Sequence, residues 1–369
     1  MQNKKICHIS TAHSALSGRL LDRECMKLAE AGYDTTLIAQ YNKDETIGGV
    51  KIVAFPKTTS RVYRMTILNI YMLYKALKQK AKLYHFHDPE LMFVGFVLKL
   101  LGKKVVYDVH EDLPKQIYNK PYLNKKVAPY ISGFVAKVEV FFAKRFDGLV
   151  TVVPSIEKRL LKSNANTIMY RNFPEMKLVD SAEPKRRDDD KFRIIYPGSL
   201  SKVRGVEDII NVVGMYEGSV ELILGGRWSH KGFEEHCKNL KGWKYVKYLG
   251  RLPQKEVYEY MKSANLGVHI IHDKLSHRIG YPMKAFEFMA CRVPFLISGI
   301  GNKRGLFEGT ALFVEPQNLE DIKQKIDMLK QDKELGIKLA NTGRKKAEEV
   351  YNLENEVDRL LKFYENIFE

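Results

Sequence analysis

The strongest constraint on this chain is a rhythm of short apolar runs, each followed by a longer helical pattern, that halts at a polar stretch and then restarts. Before the break the runs are KKICHIS, Thr35 to Ala39, Val50 to Phe55, Leu83 to Phe86, Lys104 to Tyr107 and Gly148 to Val153, with a helical pattern over Leu20 to Ala31. After it come FRIIYPG, VELILGG, VKYLG, LGVHII and PFLIS. Strands alternating with helices predict βαβ units and a parallel sheet, because parallel neighbours need a crossover long enough to hold a helix. The break itself, PEMKLVDSAEPKRRDDDKF, offers almost no core material between Pro174 and Lys191 and reads as a linker. The expected organisation is two α/β domains of similar build facing a cleft, over residues 1–175 and 191–350, with residues 176–190 between them. From Asn318 the chain is helical, and the last helix, 351–369, is expected to pack back toward the first domain. Val357, Leu360, Leu361 and Tyr364 share one face of it.

Length supports the division, since 369 residues exceed a single ordinary core. No apolar run approaches bilayer length, and the start MQNKKICHIS enters a strand without a signal-peptide core, so a cytoplasmic protein is expected. Cys7, Cys25, Cys237 and Cys291 lack metal-ligand spacing and read as small core residues. A formal charge of +17 favours a polyanionic partner, either nucleic acid or an anionic membrane.

In open parallel sheets ligands gather beyond the carboxyl ends of the strands. HFHDPEL places His85, His87 and Asp88 at one such end, and VVYDVHEDLP places Asp108, His110, Glu111 and Asp112 at another. Neither shows a helical HExxH pair or a familiar ligand spacing, so no metal is expected. YPGSLSKVRGVEDI sets Gly198 and Ser199 in a turn after a strand and Arg204 at a helix start, a plausible phosphate cradle. ELILGGRW repeats the theme with Gly225, Gly226 and Arg227. No Walker A loop and no GxGxxG occurs. In SHRIGYPMKAFEFMACRVPFLIS, Ser276 to Ser298, Pro282 reads as the first residue of a helix that carries Lys284 and Glu287 on one face. Its start suits a phosphate, and the plain alternative is a satisfied Lys/Glu pair.

Taken together these stretches resemble the family 4 glycosyltransferases, retaining enzymes of the two-Rossmann GT-B fold, over nearly the whole chain. The likeness is carried by TAHSALSGRLLDRECMKLAEAGYDTTLIA, with its opening His and Arg, and by YHFHDPEL followed by KVVYDVHEDLP, which is similar to bacterial members that build surface polysaccharides. YPGSLSKVRGVEDI, YLGRLPQKEVYEYMKSANLGV and YPMKAFEFMACRVPFLIS follow in the family's order. The resemblance implies transfer of a sugar from a nucleotide-diphosphate donor, of UDP or GDP type, with no further cofactor and no metal. It implies a donor site made of Gly198, Ser199, Arg204, Gly225, Arg251, Pro282, Met283 and Glu287. Arg204 and the start of the Pro282 helix would hold the pyrophosphate, Glu287 the ribose hydroxyls, and His110 would face the donor sugar near its anomeric carbon. Arg204 and Lys284 would stabilise the leaving charge, and His110, Glu287 and Lys284 form the catalytic set. The chain departs from the family where Ile279 replaces the first of two glutamates, where Ser199 replaces a base, and where Arg292 replaces a helix-ending glycine at a cost of about 1 kcal/mol.

The acceptor implied by that branch is a glycan or a lipid-linked sugar at the inner face of the membrane. Lys115 to Arg145 and Arg61 to Lys82 interleave basic residues with Tyr, Phe and Val, and both stretches suit an anionic bilayer, which makes peripheral membrane association the expectation. An epimerase or hydrolase of the same fold is the alternative within the class. A nucleic-acid-binding protein is the alternative outside it, opposed by the spread of basic residues over both halves.

Overall fold

The structure, a computed structural model, describes residues 4–58, 60–118, 123–278 and 280–369. The chain divides into two compact units, one formed by Met1–Asn172 with Glu356–Glu369 and the other by Phe173–Asn355.

The first unit is built on eight strands: β1 (Lys5–Ser14), β2 (Asp34–Gln40), β3 (Glu45–Ile47), β4 (Val50–Phe55), β5 (Leu83–Phe86), β6 (Lys104–Val109), β7 (Gly148–Thr151) and β8 (Thr167–Met169). Their order is β3-β4-β2-β1-β5-β6-β7-β8. Every pairing is parallel except the β3–β4 hairpin. Helices cover both faces of such a sheet, so its central strands are buried on both sides and read as unbroken runs rather than alternating ones. Ile6, Cys7, His8 and Ile9 of β1 are accordingly all inaccessible. Phe86 stacks on Tyr107 at 4.6 Å between centroids, and Phe146 meets both rings edge-on.

The second unit carries β9 (Phe192–Pro197), β10 (Val220–Gly225), β11 (Val246–Gly250), β12 (Leu266–His269), β13 (Phe295–Ser298) and β14 (Leu312–Val314). The order is β11-β10-β9-β12-β13-β14, all parallel, the doubly wound arrangement in which the chain reverses direction across the sheet between its first and fourth strands.

Two expectations need correction. The stretch 176–190 is not bare linker. Met176–Asp180 is helical, and Val179 and Ala182 are fully buried in the second unit's core beside Phe173 and Phe286. Met176, Val179 and Ala182 recur every third residue, so even a polar segment supplies one apolar face; the exposed part begins at Glu183. Pro282 is the residue preceding the helix Met283–Ala290, not its first member. Its φ of −79° with ψ of 96° is extended, as a cap requires.

Two local features follow from the residues. Arg292 takes a left-handed φ of 56°, and the amides of Arg292 and Val293 bond back to Met289 and Phe288, so the helix end is satisfied without the usual glycine. The last helix, Leu353–Phe368, buries Leu360, Phe363, Tyr364 and Ile367, while Val357 and Leu361 are half-buried. Buried Glu356 anchors it to the first unit, accepting from the Arg171 amide and guanidinium at 2.7 Å each. All four cysteines are buried thiols.

Candidate functional site

The second unit's switch lies between β9 and β12, and the residues just beyond their carboxyl ends form a cavity of about 380 Å³. A tight turn follows β9. The Gly198 amide donates to Gly225 O at 2.7 Å, and the Gly226 amide to Gly250 O at 2.6 Å. A Cβ on Gly226 would lie 1.6 Å from Gly198 O, so only glycine permits this approach. Gly205, with φ of 65°, then turns the chain into the helix Val206–Gly214 and leaves no room for a Cβ against Ile270 O at 2.6 Å.

Among the described residues the walls carry three cations, Arg204, Lys284 and Lys303, two histidines, His269 and His277, and no carboxylate. Lys303 is 1% exposed. Its Nζ donates to His277 O at 2.7 Å, Gly280 O at 2.8 Å and Asn302 Oδ1 at 2.9 Å, which uses all three ammonium protons. Burial draws that ammonium down to about 8, so it is charged at neutral pH. His269 ends β12, and burial followed by the nearby Arg204, Lys284 and Lys303 pushes its imidazole down to about 3. A neutral imidazole among cations and an open helix start makes a site chemically suited to an anion.

Among the sequence-expected residues, Gly198, Ser199, Arg204, Pro282, Met283 and Lys284 line this cavity. Gly225 and Arg251 do not. Gly225 supports the turn through its carbonyl, and Arg251 is exposed past the end of β11. Glu287 lies behind the wall, 3% exposed, where it accepts from Lys284 Nζ at 2.8 Å and Gln254 Nε2 at 3.1 Å. Lys284 is thus held by a carboxylate within a helix turn. Ile279 lies outside the described residues. Tyr196, His269, His277, Tyr281 and Lys303 also line the cavity and were not anticipated. LGVHII had the signal for His269, a polar residue closing an apolar strand, whereas Lys303 is joined to the site only by tertiary contacts.

The first unit has a cavity of about 580 Å³, at the matching switch between β1 and β5, lined among others by His13, His87, Asp88, Glu90, Asp108 and His110. Asp88 Oδ2 accepts from Ser10 Oγ at 2.8 Å and from the amides of Thr11 and Ala12 at 2.7 and 3.1 Å, which joins the ends of the two strands. Asp108 is the charge hub. Its Oδ2 lies 2.9 Å from Arg19 Nη2, 3.2 Å from His87 Nδ1 and 3.2 Å from His110 Nε2. Burial alone would raise this carboxyl, but Arg19, His110 and His87 hold it well below the usual range. Burial pushes His110 down to about 3 against the pull of Asp108. Two groups here have ligand-like geometry, His8, Glu24, His85 and His87, and His87, Asp108 and His110.

The two parallel sheets and their strand-end cavities define a two-unit α/β protein of GT-B fold. Residues 17–167 match the family described as Glycosyltransferase Family 4, and residues 180–346 match Glycosyl transferases group 1, so the chain carries two glycosyltransferase-type domains in succession. A sucrose-phosphate synthase from Thermosynechococcus elongatus superposes with a TM-score of 0.76 at 17% identity, covering 99% of each chain. A glycosyltransferase from Rickettsia africae gives 0.74 at 14% identity over 100% of each chain. Anabaena HepE, solved in complex with UDP and glucose, gives 0.71 at 14% identity over 98% of this chain and 100% of its own. No curated protein sequence matches the chain.

Proposed function

We propose that the chain transfers a sugar, with retention of configuration, from a nucleotide-diphosphate donor to a glycan or lipid-linked acceptor of cell-surface polysaccharide assembly. The observation that carries the donor assignment is the carboxylate-free cavity at the β9/β12 switch, whose three cations and helix start face one small volume. HepE in complex with UDP and glucose supports a UDP sugar. Arg204 and the amides opening the helix Met283–Ala290 bind the pyrophosphate, and Lys284 leaves Glu287 to meet the charge that develops on departure. Glu287, which keeps its bond from Gln254 behind the wall, accepts from the ribose hydroxyls once Lys284 has turned to the phosphates of the bound donor. No catalytic metal takes part, and His110 acts on the sugar being transferred. Glu287→Ala should abolish transfer from UDP- or GDP-sugars; near-normal turnover would remove the assignment. Incubation with donor alone separates transfer from epimerisation or hydrolysis, which would alter the sugar or release nucleotide without an acceptor.

Membrane association is supported by one surface feature. The helix Ile67–Lys78 exposes Ile70 at 72%, with Tyr71 and Tyr74 beneath Lys75 and Lys78, and the helix Ala128–Ala143 exposes Tyr130 at 80% and Phe134 at 68%. Apolar and aromatic groups beside lysines suit an anionic interface. No helix among the described residues is long and apolar enough to cross a membrane. Sedimentation with anionic but not neutral vesicles is the expected result, and equal recovery with both would refute the electrostatic mode.

A further inference from the structure

The first unit buries a set of ligating side chains that the proposed transfer does not use. β1 and β5 run parallel with His8 opposite His85, and the ladder continues to His87, whose amide bonds Ile9 O at 3.2 Å. Residues two apart on a strand point to one face, which brings His85 and His87 together beside His8. Glu24 approaches from Gly18–Cys25, a π-helical segment, in which residues five apart are neighbours. Arg19 and Glu24 have that spacing, and Arg19 Nε sits 3.2 Å from Glu24 Oε1.

All four side chains are buried, and one ligand atom from each lies within 4.8 Å of the others. His8 Nδ1 is 3.0 Å from His87 Nε2, and Glu24 Oε2 is 3.8 Å from the first and 3.7 Å from the second. A point roughly 2 Å from all three exists within that triangle, the length of a zinc–imidazole or zinc–carboxylate bond. The second ring nitrogen of each histidine meets an outer partner, while Glu24 Oε1 has, among the described residues, only its ion pair with Arg19. His87 Nδ1 meets the Asp108 carboxylate at 3.2 Å, His85 Nδ1 meets Tyr364 Oη at 2.5 Å, and His8 Nε2 meets the same hydroxyl at 3.5 Å. Outer partners of this kind fix the tautomer and ring orientation of metal-bound histidines. Glu24 Oε2 and His85 Nε2, both fully buried, have no hydrogen-bond partner among the described residues.

We propose that His8, His85, His87 and Glu24 bind one divalent transition ion of the zinc type in a closed tetrahedral site that ties β1, β5 and the π-helical segment together. Three imidazoles and one carboxylate suit zinc, whereas calcium and magnesium require oxygen ligands. Four protein ligands with no solvent-facing position make the site structural rather than catalytic. The competing occupant is a proton, which would turn His87 into an imidazolium between Glu24 and Asp108 and let it donate to His8.

The test is the metal content of the tag-free full chain, purified without chelator, together with the visible spectrum after Co²⁺ exchange. The expected result is about one zinc per chain and a tetrahedral Co²⁺ d–d band, with a thermal midpoint lowered by a strong chelator and restored by Zn²⁺. Glu24→Gln and His85→Gln should each lose the metal and the band, while His236→Gln, on an exposed helix of the second unit, should keep both. Trace metal with a midpoint indifferent to Zn²⁺ and chelator would overturn the site, as would undiminished metal in the two variants. Should the variants fail to fold, the parent chain alone decides: a Co²⁺ spectrum lacking tetrahedral character, or its absence, refutes the proposal.

Discussion

Replacing Lys303 by Met tests whether the donor cavity is held open from behind by a buried ammonium. Nζ donates to His277 O and Gly280 O at 2.7 and 2.8 Å, and these carbonyls belong to the segment that runs into Pro282. Its third acceptor, Asn302 Oδ1, is on an exposed residue and can turn to water. Methionine fills nearly the same space, so the change removes donors rather than volume. Two half-buried carbonyls left without a partner cost about 1–3 kcal/mol each, and removing the buried charge returns part of that. The expected net loss is about 2–4 kcal/mol, together with a weaker grip on nucleoside diphosphate as the wall before Met283 loosens. Urea denaturation and calorimetric titration with UDP measure the two effects. An unchanged denaturation midpoint with unchanged UDP affinity would show that Lys303 does not organise the cavity.

Gly226→Ala forces a Cβ against Gly198 O and should cost more than about 2 kcal/mol in thermal denaturation, with loss of UDP binding. Glu356→Ala removes the carboxylate that accepts from the Arg171 amide and guanidinium and should destabilise the chain by about 1–3 kcal/mol in urea. His269 contributes to acid sensitivity with a definite sign. Its imidazole is held at about 3 when folded and titrates near 6.5 when unfolded, so the unfolded chain binds the extra proton between those values. Stability from this group is complete above about pH 6.5 and falls by about 1.4 kcal/mol per pH unit below it until about pH 3. His269→Gln should reduce the slope measured between pH 6.5 and 5 by that amount, and an unchanged slope would contradict the assignment.

The parallel strands were legible because burial on both faces writes them as continuous apolar runs such as VELILGG and LGVHII. The short edge strands β3, β8 and β14 escaped notice, each having only three residues and little pattern. Val179 and Ala182 were hidden by the charged residues around them. At the site, the Gly198–Ser199 turn, Arg204 and the residues from Pro282 to Lys284 were local motifs and could be read directly. Lys303 could not, since its role comes from carbonyls some 25 positions away that it meets only after folding. The histidine and glutamate cluster was missed for a related reason. Its ligands are spread over β1, β5 and a π-helical segment, and only His85 and His87, two apart on one strand, carried a sequence signal.

The central claim is that the carboxylate-free cavity of the second unit binds a nucleotide-diphosphate sugar. A thermal-shift titration of the full chain with UDP, GDP and their sugars, repeated on Arg204→Ala, tests it most directly. A ligand confined to the folded state stabilises it by about 2.7 kcal/mol at a hundred times its Kd, so at least one nucleotide series should raise the midpoint in a saturable way, and Arg204→Ala should shift that response to much higher concentration. A midpoint unmoved by every nucleotide and sugar nucleotide, or a full response retained by Arg204→Ala, would contradict the account.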